Sequence, residues 1–436
     1  MELEQSKQRT HAYAFLIFAS FFLYIILTGA KNLYVAEKTT LQSLGTFGSY
    51  TDLASTMEYY FYAYAAMQIF LAFFMHKLNI KWFLTITLGI SAVISILMAF
   101  TDNIVSHWVL YTVNGAMQAG VWGCTIKVLG QYLPQKNLSV ANSLMTSGPA
   151  VAGVISYGTA AIFGDNWTLP FIVLGVILIV AVVLYFLSVS NVQRFPRELE
   201  THHVVHSDGT EEDVSEEDKN DFIHINSKKR RIAFYVISVI MGAVVTSLFF
   251  TINNTLDIFL KQIGGFDNTT SKWLTVLAPV AIVVGPILCV RACVKYTNFL
   301  HVATVFFGLA LVFATILLFV FDFNIFLSLA LILAFMILTN GGRSISLSIA
   351  ALQMRDKIDA GLCSTLVNAA ASIATGVIPK IFTQILDNPT RTVLQNWTNA
   401  FKLVVIWNVA TVAIIIALAL WVKYLNKKDK KKETDK

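Results

Sequence analysis

The chain has 436 residues, of which 56% are hydrophobic and only 13% charged, with a net charge of +6; soluble domains carry about 25% charged residues. That balance excludes an ordinary water-soluble fold, because the apolar residues run the whole length in blocks of about 20 or more, the span of a bilayer. The surplus Lys and Arg border these blocks and form no groove-reading module, so no nucleic-acid partner is implied.

In chain order, apolar runs between polar punctuation predict an all-α membrane protein with twelve spans, at 11–34, 55–76, 82–101, 105–132, 139–163, 167–190, 231–260, 271–294, 298–321, 324–353, 359–386 and 399–424. The first run is too long, and lacks the small-residue cleavage site, for a removed signal peptide, so it reads as a retained first span. After the sixth span the chain turns polar. Glu211, Glu212, Asp213, Glu216, Glu217 and Asp218 precede Lys228, Lys229, Arg230 and Arg231, a stretch that cannot bury enough apolar surface to fold alone. The predicted organisation is an N-terminal six-helix bundle (1–190), a cytoplasmic linker (191–230), a C-terminal six-helix bundle (231–424) and a basic cytoplasmic tail (425–436). With the N-terminus inside, twenty-three Lys and Arg fall on the inner side, against Lys38, Lys261, Lys272 and Arg391 outside; the positive-inside rule then places both termini in the cytoplasm.

Ionisable groups within spans cost several kcal/mol unless they face water or a partner, so they mark where function should be sought. Lys31 sits about twenty residues into the first span, Lys127 toward the inner end of the fourth, and Arg343 near mid-depth in the tenth, after Thr339-Asn340-Gly341-Gly342. Lys31 and Arg343 are substrate-binding candidates, although a helix-to-helix contact competes as the role of Arg343. Lys127, Glu58, Asp257 and Lys380 are gating or coupling candidates, Asp257 being free to pair with Lys31 or Lys380. In the second span Tyr59 and Tyr60 suit an interfacial belt, whereas Tyr62 and Gln68 lie deeper and are candidate ligand donors. Asn253 and Asn254 in the seventh span follow the same logic.

Residues 141–155 align with 363–378 once one residue is inserted, which makes the fifth and eleventh spans equivalents; both are rich in the small residues that let membrane helices approach closely. Cys124, Cys289, Cys293 and Cys363 all fall within spans and read as small core residues. His202, His203 and His206 lie in the linker without cysteines, so no metal or cofactor is expected. No paired acid, His-rich cluster or nucleophile constellation points to an enzyme.

The segment Gly115-Ala116-Met117-Gln118-Ala119-Gly120-Val121-Trp122, continuing through Lys127 to Gln131-Tyr132-Leu133-Pro134-Gln135-Lys136, resembles the fourth span and following loop of the organophosphate:phosphate antiporters of the major facilitator superfamily. Lys31-Asn32 with Tyr24 before it is similar to the end of their first span, and Thr255-Leu256-Asp257 with Phe259-Leu260-Lys261 to part of their seventh. The resemblance implies the major facilitator fold, residence in the plasma (inner) membrane, and anion exchange by two halves rocking about a central site. In that family an arginine in each of spans one and seven grips the phosphate, helped by a lysine in span two and a histidine in span five. Here those positions are Ala30, the neighbourhood of Ile252, Gln68 and Pro149, so none of the four groups is present. Lys127 replaces a family arginine, and His76 replaces the aspartate of the loop after span two.

Lys31, Lys127 and Arg343 leave a positive cavity, so the expectation is a monomeric carrier of a small organic anion in the lipid bilayer. Few acids lie deep, which favours antiport or uniport over proton symport. The alternatives are an exporter of neutral or amphipathic compounds and a non-transporting membrane solute sensor.

Overall fold

Without water to bond the backbone inside a bilayer, apolar runs of this length must satisfy their own N–H and C=O groups, and helices do so within one segment. The computed structural model describes residues 2–195, 204–205, 211–212, 228–296, 299–353 and 360–434. In order these form α1 (Glu2–Ala36), α2 (Lys38–Ser43), α3 (Tyr50–Phe74), a 3-10 turn at Met75–Lys77, α4 (Ile80–Met98), α5 (Ile104–Gln118), α6 (Val121–Tyr132), α7 (Gln135–Phe163), α8 (Thr168–Val192), α9 (Lys228–Asn253), α10 (Leu256–Gln262), α11 (Asn268–Thr275), α12 (Ala278–Tyr296), α13 (Phe299–Val320), α14 (Ile325–Gln353), α15 (Ala360–Leu386) and α16 (Val393–Thr434). Helices occupy every one of the twelve predicted runs, and eight described segments are individually long and apolar enough to cross a membrane. Most of the expected linker lies outside the described residues, as do His202, His203 and His206. There β1 (Val204–Val205) pairs antiparallel with β2 (Glu211–Glu212).

Three runs that read as single spans are each two helices. The fourth breaks between α5 and α6, the seventh between α9 and α10 at Asn254 and Thr255, and the eighth between α11 and α12 at Val276 and Leu277. At the first break Gly120 lies so close to Phe83 and Leu71 that a Cβ would meet their side chains at 2.8 and 3.0 Å. Helix starts are capped by side chains: Ser49 and Asp52 form a capping box on α3, and Asn79 and Asn103 accept from the first turns of α4 and α5; each satisfies an otherwise orphaned donor. Asp267 caps α11, and the hydroxyl and backbone N–H of Thr270 hold its carboxyl below the usual carboxylate range.

Buried apolar side chains gather into two clusters built from residues 13–192 and a third built mainly from 241–422, to which Tyr50 also belongs. The N-terminal helices also bury a polar network. Tyr60 donates to Gln118 (2.7 Å), whose amide donates to Ser91 (2.9 Å) and Asn114 (3.1 Å), and Ser91 donates to Asn114 (2.6 Å). Satisfied polar groups of this kind fix how α3, α4 and α5 sit against one another.

Where the N-terminal and C-terminal helices meet, glycines set the approach. Gly376 of α15 sits against the Glu58 and Phe61 positions of α3, and Gly153 of α7 against the ring of Pro279 at the head of α12. Counted in spans, the contacts are two with eleven and five with eight. A two-fold relation between the halves that made the fifth and eleventh spans equivalent would convert one contact into the other.

Candidate functional site

Two groups of charged side chains lie between the N-terminal and C-terminal helices, and they differ in how they are satisfied. The first closes one end of the bundle. α1 ends at Ala36, so Glu37 and Lys38 fall on the turn into α2, facing α9 to α11. Lys272 of α11 forms a salt bridge with Glu37 at 2.6 Å, with both side chains fully buried. Its ammonium also donates to the carbonyls of Gly164 (2.8 Å) and Ala160 (3.4 Å) at the end of α7, so its three protons have three acceptors. Lys38, equally buried, donates to the carbonyl of Asn254 at the break in the seventh span (3.1 Å). Tyr157 reaches the carbonyl of Asn253 (3.4 Å), Lys261 that of Thr39 (3.4 Å), and Thr51 donates through its N–H and hydroxyl to Asp387 (both 2.6 Å).

The second group sits between these same helices, with Lys31 six residues before Glu37. Lys31 of α1 and Arg343 of α14 come from opposite halves of the chain and lie within electrostatic reach of each other. Both are half-buried among the packed helices. Tyr111 anchors the helix here by donating to the Lys31 carbonyl (2.6 Å). Gly341 and Gly342 bring α14 close to Gly285 of α12 and to Phe306 and Phe307 of α13, and the next residue, Arg343, projects toward α9. Its guanidinium carbon lies 5.5 Å from the ring centre of Phe249 and 5.3 Å from that of Phe250, and its Nε donates to Asn340 (3.0 Å). The Lys31 ammonium lies 5.9 Å from the ring centre of Phe61. Tyr24, two helical turns before Lys31, is in electrostatic reach of Arg343 and Tyr64 and packs on Trp122 at 5.3 Å. No carboxylate lies within ion-pair distance of Lys31 or Arg343 among the described residues.

The profile of the Major Facilitator Superfamily matches residues 13–379. The chain belongs to that superfamily. It is a major facilitator transporter, with the all-α membrane fold expected from the sequence. No curated protein matches it in sequence. Among solved structures, a bacterial homologue to the human lysosomal transporter Spinster in an inward-facing, occupied conformation is similar at 13% identity and TM-score 0.69, with 93% of this chain and 96% of that one covered. Its inward-facing, unoccupied form is similar at 13% identity and TM-score 0.64, covering 96% and 97%. The nucleoside transporter NupG is similar at 12% identity and TM-score 0.64, covering 93% and 98%. At such identities these likenesses speak to the fold.

Set in the facilitator fold, the residues singled out from sequence divide three ways. Lys31 and Arg343 come together. Glu58 and Lys380 also pair, at 2.6 Å, with Tyr62 donating to the other oxygen of Glu58 (2.7 Å); the partner of Lys380 is therefore Glu58, and Asp257 pairs with neither Lys380 nor Lys31. Instead Asp257 is buried at the closed end, in electrostatic reach of Lys38 and Lys272, with neither carboxylate oxygen bonded to a side-chain donor among the described residues. Tyr62 is exposed and tied to Glu58. Asn253 and Asn254 offer their backbone carbonyls to the closed end, and Asn253 donates to the side chain of Asn254 (3.3 Å). Gln68 is buried, and Lys127 donates to the carbonyl of Met75 (3.4 Å), capping the end of α3. Lys38 and Lys272, expected in outer loops, are fully buried, because the opposing helices cover them. Sequence reading passed over Glu37, Phe61, Tyr64, Phe249 and Phe250. A helical wheel carries part of the missing signal: Phe61, Tyr64 and Gln68 share one face of α3, as Tyr24 and Lys31 share one face of α1.

Proposed function

We propose that this facilitator carries a small organic anion by alternating access, binding it between Lys31 and Arg343. The observation that supports this is the pair itself: two cations, one from each half, stand in electrostatic reach of each other with no carboxylate at ion-pair distance among the described residues. Buried like charges repel and are costly to hold, and an anion entering between them removes both penalties. Because the cations stand on opposite sets of helices, an anion bound to both would also draw those sets together.

The reading extends to the cycle. The closed end carries Lys38, Lys261 and Lys272, which the charge rule assigns to the outer face, so we read the closed end as the outer one. We take the helices of 1–190 and 231–424 as the two moving bodies, joined by the linker 191–230, in an inner membrane with both termini cytoplasmic. Glu58 is held by Lys380 and Tyr62, which favours exchange or uniport over coupling through that acid. A nucleoside, uncharged at neutral pH, would leave both cations unanswered.

Counterflow of labelled organic anions into proteoliposomes tests the reading. Lys31→Met and Arg343→Met should each lower anion uptake roughly tenfold or more; uptake of a neutral compound that survives both substitutions, with no anion carried by the wild type, overturns it in favour of neutral export. Ligand binding without any flux points instead to a sensor.

A further inference from the structure

The anion reading leaves open what kind of anion, and the surroundings of the two cations narrow it. We infer that the site takes an amphipathic carboxylate, with the acid head between Lys31 and Arg343 and a flat apolar body against the rings of Phe61, Tyr64 and Phe250. This rests on the anion reading above and goes further, to the shape and polarity of the ligand.

Arg343 sets the geometry of the head group. Phe249 and Phe250 stand within cation–π distance of its guanidinium, at 5.5 and 5.3 Å, and Asn340 takes its Nε proton. What remains for a ligand is the outer edge carrying the terminal nitrogens. That edge matches a planar carboxylate through two parallel hydrogen bonds. Lys31 has its ammonium beside the Phe61 ring at 5.9 Å and, among the described residues, no acceptor for its protons. Lys272 at the closed end, with an acceptor for each proton, shows what a saturated lysine looks like in this protein.

The walls decide the rest. Phe61 and Tyr64 on α3, with ring centres 6.5 Å apart, lie on one side, and Phe249 and Phe250, 5.3 Å apart, on the other. Inorganic phosphate or sulfate would have to give up its hydration on the sides that meet ring carbon, where nothing replaces it. Acetate could use the cations but would bury nothing against Tyr64 and Phe250, the two rings that the protein covers only in part. A carboxylate bearing a ring satisfies the charge and buries apolar surface at once, and stacked or edge-to-face ring pairs add to that burial.

The test is a thermal-shift series on purified full-length protein with phenylacetate, cyclohexylacetate, acetate, inorganic phosphate and 2-phenylethanol at one concentration, each shift measured against the same variant without ligand. Ligand that binds the folded state raises Tm with occupancy. The expected order is phenylacetate, then cyclohexylacetate, with no shift from the other three. The double substitution Phe61→Leu, Phe250→Leu should weaken phenylacetate roughly tenfold or more, the scale of losing two aromatic contacts, and cyclohexylacetate less. If acetate or phosphate shifts the protein as far as phenylacetate, and Lys31→Met removes those shifts, the anion reading stands and this inference is overturned. If 2-phenylethanol matches phenylacetate and Lys31→Met changes nothing, the anion reading itself fails. No shift from either ring-bearing acid also overturns the inference.

Discussion

The closed end and the site of Lys31 and Arg343 use the same residue types for opposite purposes. At the closed end Lys272 meets Glu37 and two carbonyls, and Lys38 meets the carbonyl of Asn254; this charge is spent inside the protein. Lys31 and Arg343 meet rings and a single amide oxygen. A buried cation that meets an acid or a backbone carbonyl of the opposing helices is part of a latch, whereas one left facing rings is a place for something to arrive. The contrast teaches that the partner a cation meets, more than burial or residue type, separates a structural charge from a functional one in this bundle.

The sharpest way to break the comparison is to remove the cations that face rings. Lys31→Met with Arg343→Met should lower anion flux in proteoliposomes roughly a hundredfold or more, since hydrogen bonds to charged groups contribute about 1.5–3 kcal/mol each. The same double variant should melt no lower than the wild type, because it deletes two cations that no acid among the described residues compensates. A loss of both flux and stability would mean that these cations, like those of the latch, are structural.

Next in size is the latch. Lys272→Met leaves Glu37 buried without its cation, and Glu37→Gln does the converse; breaking a buried pair in this way costs about 3–5 kcal/mol. The cost falls on the closed conformation, so a cysteine placed at Ala160, buried beside Lys272, should label faster with a membrane-impermeant maleimide in either variant, in a background with the native cysteines replaced. The exchanged pair Glu37→Lys, Lys272→Glu should recover part of the protection. Equal labelling in all four proteins would remove the latch from the account.

Most of the fold was legible because hydropathy is a local property, and all twelve runs hold helices. The breaks at Gly120, Asn254–Thr255 and Val276–Leu277 were not, since a run that stays apolar on average hides a short turn within it. Lys31 and Arg343 stood out as charges at depth. Glu37 and Lys272 did not, because each follows or precedes an apolar run and a linear reading assigns such residues to water; the partner that buries them lies 235 positions away. The aromatic wall was obscured for another reason: in a chain with 32 Phe, a ring at a ligand and a ring in lipid look alike until neighbouring helices are placed.

The smallest effect belongs to the pair that stands between the two extremes. Lys380 and Glu58 join α15 to α3 at 2.6 Å, but Lys380 retains 27% of its exposure, and Tyr62 already donates to the second oxygen of Glu58. Water and a second donor can replace much of what the lysine supplies, so Lys380→Met should destabilise the protein by about 1 kcal/mol or less. Flux should fall by less than half as much, on a logarithmic scale, as in Lys31→Met. Tyr62→Phe should be milder still, because the Lys380 bond remains. Measured side by side in one proteoliposome assay, these variants separate a charge that shapes the interface between α3 and α15 from one that meets the solute. A Lys380→Met defect as deep as that of Lys31→Met would place Glu58 and Lys380 among the coupling machinery and dissolve the distinction between charges that meet a protein partner and charges that face rings.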